Sequence, residues 1–173
     1  GIFPAMANAV MVFHTLGYSH DHPHYAAARS AVRKLLVFDG ESGYCQPCLS
    51  PIWDTALAMH ALMETGDAAD EGRLARAGQW LRDCQITETV GDWRDFRPGL
   101  EPAGWPFQYA NDYYPDTDDS SVVIVALDRA GEDASREAVQ SGAEWVIGMQ
   151  SAAGGWGSFD ADNMFSYLNH IPF

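Results

Sequence analysis

The chain has 173 residues, 47% of them apolar, and a formal net charge of −14. This length supports one domain with a real core. The charge excludes a nucleic-acid surface and disfavours anionic lipid headgroups, since both repel a polyanion.

Apolar residues recur at spacings of three and four over 4–17, 23–38, 51–65, 70–86, 119–130 and 133–150. That period predicts helices throughout and no strand, with longer loops at 39–50, 87–118 and 151–173. Gly17, Gly40, Gly66 and Gly131 fall where helices should stop, as left-handed caps do, and Pro23 and Pro51 fall near helix starts. The longest purely apolar run, 122–127, is too short to span a bilayer. No basic stretch followed by an apolar one opens the chain, so no signal peptide is visible. The chain starts at Gly1 without an initiator Met and stops at Phe173 without a polar tail, so it is expected to be an internal piece of something longer.

Two features read as structure rather than chemistry. His20, His22 and His24 lie in a stretch broken by Pro23, as a solvated helix-entry loop. Cys45 and Cys48 have CxxC spacing without the surrounding βαβ pattern of a redox motif, and no second pair completes a zinc site. Three cysteines are also too few for a disulfide scaffold. No metal and no cofactor are expected.

An internal repeat sharpens the picture. Shifting the chain by 65 positions aligns Asp54 with Asp119, Ala61 with Ala126, Gly66 with Gly131, Trp80 with Trp145 and Gln85 with Gln150. Each unit has an apolar first helix, a glycine turn and a more polar second helix. Stacked pairs of this kind predict an all-α fold, an incomplete (α/α) toroid or barrel with inner and outer helix layers, taken as a single partial domain over 1–173. Gln85 is followed by Gly91-Asp92-Trp93, and Gln150 by Gly154-Gly155-Trp156. A glutamine at a helix end can bond the open backbone groups there, and a following tryptophan can cover them, so Gln85, Trp93, Gln150 and Trp156 are expected to be structural clamps.

Between the two clamps lies Pro115-Asp116-Thr117-Asp118-Asp119, preceded by Gly104-Trp105-Pro106-Phe107-Gln108-Tyr109 and Tyr113-Tyr114. Three carboxyls this close repel one another when charged, so at least one should hold a proton near neutrality. Asp118 or Asp119 sits where a helix N-cap would sit, and the positive helix end favours a carboxylate by about 0.3–2 kcal/mol.

Taken together, the DxDD motif framed by two Gln–Gly–Trp segments resembles the class II terpene cyclases, and squalene–hopene cyclases in particular. Ser50-Pro51-Ile52-Trp53-Asp54-Thr55 and the ends, Gly1-Ile2-Phe3-Pro4 and Asn169-His170-Ile171-Pro172-Phe173, resemble that family too. The resemblance runs through the whole chain but covers only a central minority of a family member. It implies that Asp118 is the acid that protonates a polyene, with Asp116 and Asp119 beside it. Trp53 and Phe107 match positions lining the cavity, where aromatic faces stabilise a carbocation by about 0.5–2 kcal/mol each without trapping it. Tyr114 is a further candidate, Asp54 and Gln108 are supporting groups, and Phe159 replaces a commoner tyrosine, with the loss of a hydroxyl near the cavity. The implied substrate is squalene or a similar linear polyene, cyclised to hopene-type or hopanol-type pentacycles. Squalene carries no diphosphate, so no metal is required to remove a leaving group. The resemblance also implies a homodimer bound peripherally to the cytoplasmic side of a bacterial membrane, and a histidine partner of the acid beyond this chain. The segment alone is expected to be inactive. The alternatives are another bacterial class II isoprenoid cyclase, or a non-catalytic (α/α) scaffold like the prenyltransferase β subunits.

Overall fold

The computed structural model describes all residues except Gly1, Ala110, Met164, Ser166, Leu168, Asn169 and 171–173, so most of the C-terminal motif lies outside the described residues. The contacts cluster into two compact units, Gly1–Ser50 and Pro51–Phe173.

The first unit packs α1 (Phe3–Thr15) on α2 (Pro23–Arg33). Proline opens each helix near its first position, where the missing N–H costs nothing. The expected helix to residue 38 is not what forms. After Arg33 the chain turns into β1 (Leu36–Asp39), which pairs antiparallel with β2 (Ser42–Cys45). Leu36-Val37-Phe38 extends the helical apolar pattern in sequence, but β-branched and aromatic residues ahead of a turn suit a strand equally well. Gly40, at φ +60°, makes the hairpin turn rather than a helix cap.

The second unit holds the repeat. Its helices are α3 (Pro51–Thr65), α4 (Glu71–Asp83), α5 (Thr117–Ala130) and α6 (Arg136–Gly148). α3 packs on α4 and α5, and α5 on α6. The glycine turns Gly66 and Gly131 adopt φ of +62° and +68°, which only glycine reaches without strain. Short 3₁₀ turns, Ala68–Asp70 and Asp133–Ser135, then lead into the second helix of each pair. A two-residue ladder, β3 (Trp105–Pro106) against β4 (Pro115–Asp116), closes the long loop and is a second departure from the strand-free expectation.

Burial follows the helical period. α3 buries Ile52, Ala56 and Met59, and α5 buries Ser120, Val123, Ala126 and Leu127. The apolar members of this set, with Leu81, Trp105 and Ala138, form the main core. A smaller cluster joins Trp93, Ala103, Trp145 and Met149, with the Trp93 and Trp145 rings edge to face at 5.9 Å. The small residues on α6 allow close approach: a Cβ at Gly142 would fall 2.7 Å from the Trp105 ring.

Gln85 and Gln150 each follow the last turn of a helix, but they act differently. The Gln85 amide donates to the Ala103 carbonyl (2.9 Å), the Ala138 carbonyl (3.1 Å) and Ser141 Oγ (3.2 Å), joining the long loop to α6. Gln150 donates to the Gly154 carbonyl in its own loop (2.8 Å). Trp93 is fully buried, whereas Trp156 is half exposed and donates its indole N–H to the Val146 carbonyl (2.6 Å). Replacing Gln85 by Leu leaves the partly buried Ala103 and Ala138 carbonyls without this donor. We expect a loss of about 1–3 kcal/mol in the full-length protein, read as a lowered midpoint of chemical unfolding, while Gln150→Leu costs less.

Candidate active site

The acidic triplet sits where β4 becomes α5. Trp105 pairs with Asp116 across the two-residue ladder, and its backbone N–H donates to Ser120 Oγ at 2.8 Å. Its indole N–H donates to the Leu81 carbonyl at 2.6 Å, so one buried residue ties the end of α4 to the start of α5.

This register corrects the expected cap. Asp116, not Asp118 or Asp119, is the N-cap of α5: its backbone is extended (φ −105°, ψ 130°) and its carboxylate accepts the Asp118 N–H at 2.9 Å. Ladder pairing holds Asp116 in β geometry, so the helix begins at Thr117, two residues earlier than the apolar period suggests. The three carboxyls then diverge. Asp116 and Asp119 are buried, and Asp118 faces outward.

Their protonation follows from that burial. Asp119 is pushed up to about 7, first by desolvation, then by the charges of Asp116 and Asp118, with Asp54 adding a smaller repulsion. Its Oδ1 is buried and has no hydrogen-bond partner among the described residues. Asp116 is also raised by burial and by the Asp118 charge, although the backbone N–H groups of Asp118 and Asp119 pull it back. The triplet therefore retains a proton near neutrality, and burial makes Asp119 its holder.

A depression of about 410 Å³ opens beside these groups, lined by Trp53, Phe107, Asp116, Asp118, Asp119, Ser121 and Val122. α3 supplies Trp53, the residue after β3 supplies Phe107, and α5 supplies the rest except its cap. The structure thus brings Trp53, Phe107 and the three acids together. Tyr114, Gln108, Asp54 and Phe159 are not in that lining. Tyr114 and Phe159 instead pack edge to face on each other at 6.3 Å, and Asp54 is exposed in the first turn of α3. Among the described residues no cluster of three or more histidine, cysteine or acidic side chains has metal-binding geometry.

Residues without any motif complete the site. Thr117 donates its N–H to the Ser158 carbonyl (2.9 Å) and its hydroxyl to the Gly157 carbonyl (3.0 Å), pinning the second Gln–Gly–Trp loop to the start of α5. Ser158 Oγ in turn donates to Asp118 Oδ2 at 3.3 Å. Arg97 fastens the same loop from behind. It donates to the Gly148 carbonyl (2.8 Å), the Gln150 carbonyl (2.6 Å) and Asp162 Oδ2 (2.9 Å). Asp162 accepts the Ala152 N–H at 2.7 Å and donates its own N–H to Ser151 Oγ at 3.0 Å. The Ala152 N–H foremost, and Arg97 next, hold the Asp162 carboxyl below its usual range. Sequence spacing offers no signal for Ser158, which lies 40 residues from Asp118.

Comparison with known proteins finds matches along most of the chain. Residues 49–173 match the squalene–hopene cyclase C-terminal domain, and residues 1–41 match the corresponding N-terminal domain. A squalene–hopene cyclase of Zymomonas mobilis is 52% identical over 99% of this chain and 28% of its own length. That of Bradyrhizobium diazoefficiens is 45% identical over 99% of the chain and 27% of its length. That of Alicyclobacillus acidocaldarius is 50% identical over 74% of the chain and 21% of its length. The chain therefore spans little more than a quarter of the first two relatives. With the family model covering the acid-bearing unit from end to end, the chain belongs to the squalene–hopene cyclase family.

Proposed function

We propose that this chain is part of an enzyme that cyclises squalene to hopene-type pentacyclic triterpenes, and that its segment from Pro51 onward is the central, acid-bearing part of an (α/α) barrel. The observation that carries the reading is the shared depression: three carboxyls at one helix start, with the Trp53 and Phe107 rings in the same lining. The relatives' names point to squalene, so a different isoprenoid or a non-catalytic scaffold is not favoured.

Protonating an alkene requires a strong, well-aimed acid, because the tertiary carbocation formed is itself a very strong acid. In this reading Asp118 is the donor, once it has taken up the proton that Asp119 holds at rest. Its O–H bond breaks, the alkene π pair takes the proton, and the O–H electrons remain on the carboxylate. Asp118 lies in the first turn of α5, where the positive helix end favours the carboxylate left behind. Asp119 thus acts as the proton store of the triplet and Asp116 as its scaffold through the cap. Trp53 and Phe107 offer π faces to the developing cation. Tyr114 and Phe159, packed together beside the triplet, form an adjoining wall, and Gln108 and Asp54 support it from outside the lining. No diphosphate leaves, so the chemistry calls for no metal.

Peripheral attachment to the cytoplasmic side of a bacterial membrane and assembly as a homodimer follow from the family resemblance. No helix among the described residues is long and apolar enough to cross a membrane.

Two measurements test the reading in the full-length protein. Asp118→Asn keeps the shape but has no acidic proton, so squalene turnover should fall about 10²–10⁴-fold while circular dichroism stays unchanged. Cyclisation at the original rate would remove Asp118 as donor. The second concerns Asp119. Its folded pKa, about 7, lies above the unfolded value of 3.8, so between these pH values the native state binds more protons. Stability should therefore fall as pH rises from about 4 to 7 and level off above. Asp119→Asn should flatten that slope and raise stability at pH 8 by a few kcal/mol at most, since each pH step between the two values contributes on the order of 1.4 kcal/mol. An unchanged slope would show that Asp119 is ionised throughout.

A further inference from the structure

We propose that Ser158 is a positioning residue for the Asp118 carboxyl, delivered by the second Gln–Gly–Trp loop and absent from the acid motif itself. This rests on the reading of Asp118 as proton donor. The hydroxyl donates to Asp118 Oδ2 at 3.3 Å. A carboxyl in the first turn of a helix rotates freely about χ2 unless one oxygen is held. Asp118 has no cap role of its own, since that belongs to Asp116. Ser158 supplies the hold.

The contact is built rather than incidental, because the backbone on both sides of Ser158 is fixed. Its carbonyl accepts the Thr117 N–H, and the preceding Gly157 carbonyl accepts the Thr117 hydroxyl, so the loop is registered against the residue next to Asp118. Gly157 suits this approach, since a Cβ there would lie 2.7 Å from the Asp160 carbonyl oxygen. Behind it, Arg97 and Asp162 anchor the loop to the end of α6 through five hydrogen bonds to Gly148, Gln150, Ala152, Ser151 and each other. Asp162 adopts φ +55° to do so, a conformation that a non-glycine residue keeps only when its surroundings hold it.

A hydroxyl donating to a carboxylate also steadies the oxygen left behind after the proton has gone.

The test uses the full-length protein, with Ser158→Ala, Ser158→Thr and Asp118→Asn measured for squalene turnover. We expect Ser158→Ala to lower kcat about three- to tenfold with little change in KM. Ser158→Thr, which keeps the hydroxyl, should restore kcat. A loss of kcat that Ser158→Thr does not restore would assign Ser158 a merely structural part and overturn the proposal, as would unchanged kinetics in Ser158→Ala. In each of those cases inactivity of Asp118→Asn shows that the donor reading itself stands. If Asp118→Asn still turns over at the original rate, that reading fails, and the positioning role falls with it.

Discussion

The site depends on how α5 begins, and that is decided by the buried indole of Trp105. Its N–H groups reach the Leu81 carbonyl and Ser120 Oγ, and its backbone pairs with Asp116. Its ring lies so close to α6 that only glycine fits at position 142. A single fully buried side chain therefore meets α4, α5 and α6. Because the ring fills the space between helices and both donors are satisfied, the ladder register has little freedom to slip. A slip of one residue that put Asp118 where Asp119 now lies would bury the carboxyl that now faces outward.

Burying carboxyls at a helix start sets two effects against each other. Desolvation favours the protonated form, whereas the helix end and the free N–H groups of the first turn favour the charged form. The structure separates these effects spatially. Asp119 receives the desolvation, with an oxygen that has no partner among the described residues. Asp116 receives the N–H groups. Asp118 stays on the open side, in the depression with the aromatic rings. One carboxyl is raised by burial, one caps the helix, and one stays exposed.

Much of the helical framework is legible from residue pattern alone. Apolar spacing and the glycines at 66 and 131 locate α3 to α6 within a few residues, because both signals are local and both carry a physical cost if violated. The hairpin at 36–45 is not legible: Leu36-Val37-Phe38 continues a helical pattern, and a run of three cannot distinguish the two periods. Two-residue strands are shorter still, so the ladder that makes Asp116 the cap leaves no periodic trace. At the site, the triplet and the Trp53 and Phe107 rings are visible as motifs. The division of labour among the acids is not, since it depends on a distant pairing partner, Trp105, and on tertiary burial. Ser158 and Arg97 lie further out of reach, each acting across 40 residues or more.

Arg97 has one more consequence. Its guanidinium meets four oxygens: the Phe96, Gly148 and Gln150 carbonyls and a carboxylate oxygen of Asp162. Only a flat fork with several N–H groups can serve all four at once; an ammonium is a point donor on a flexible stem and must choose among them. The codon at this position is thus narrowly confined. A library randomised there and selected for the folded state would return arginine and reject even lysine, although the side chain lies outside the lining of the depression.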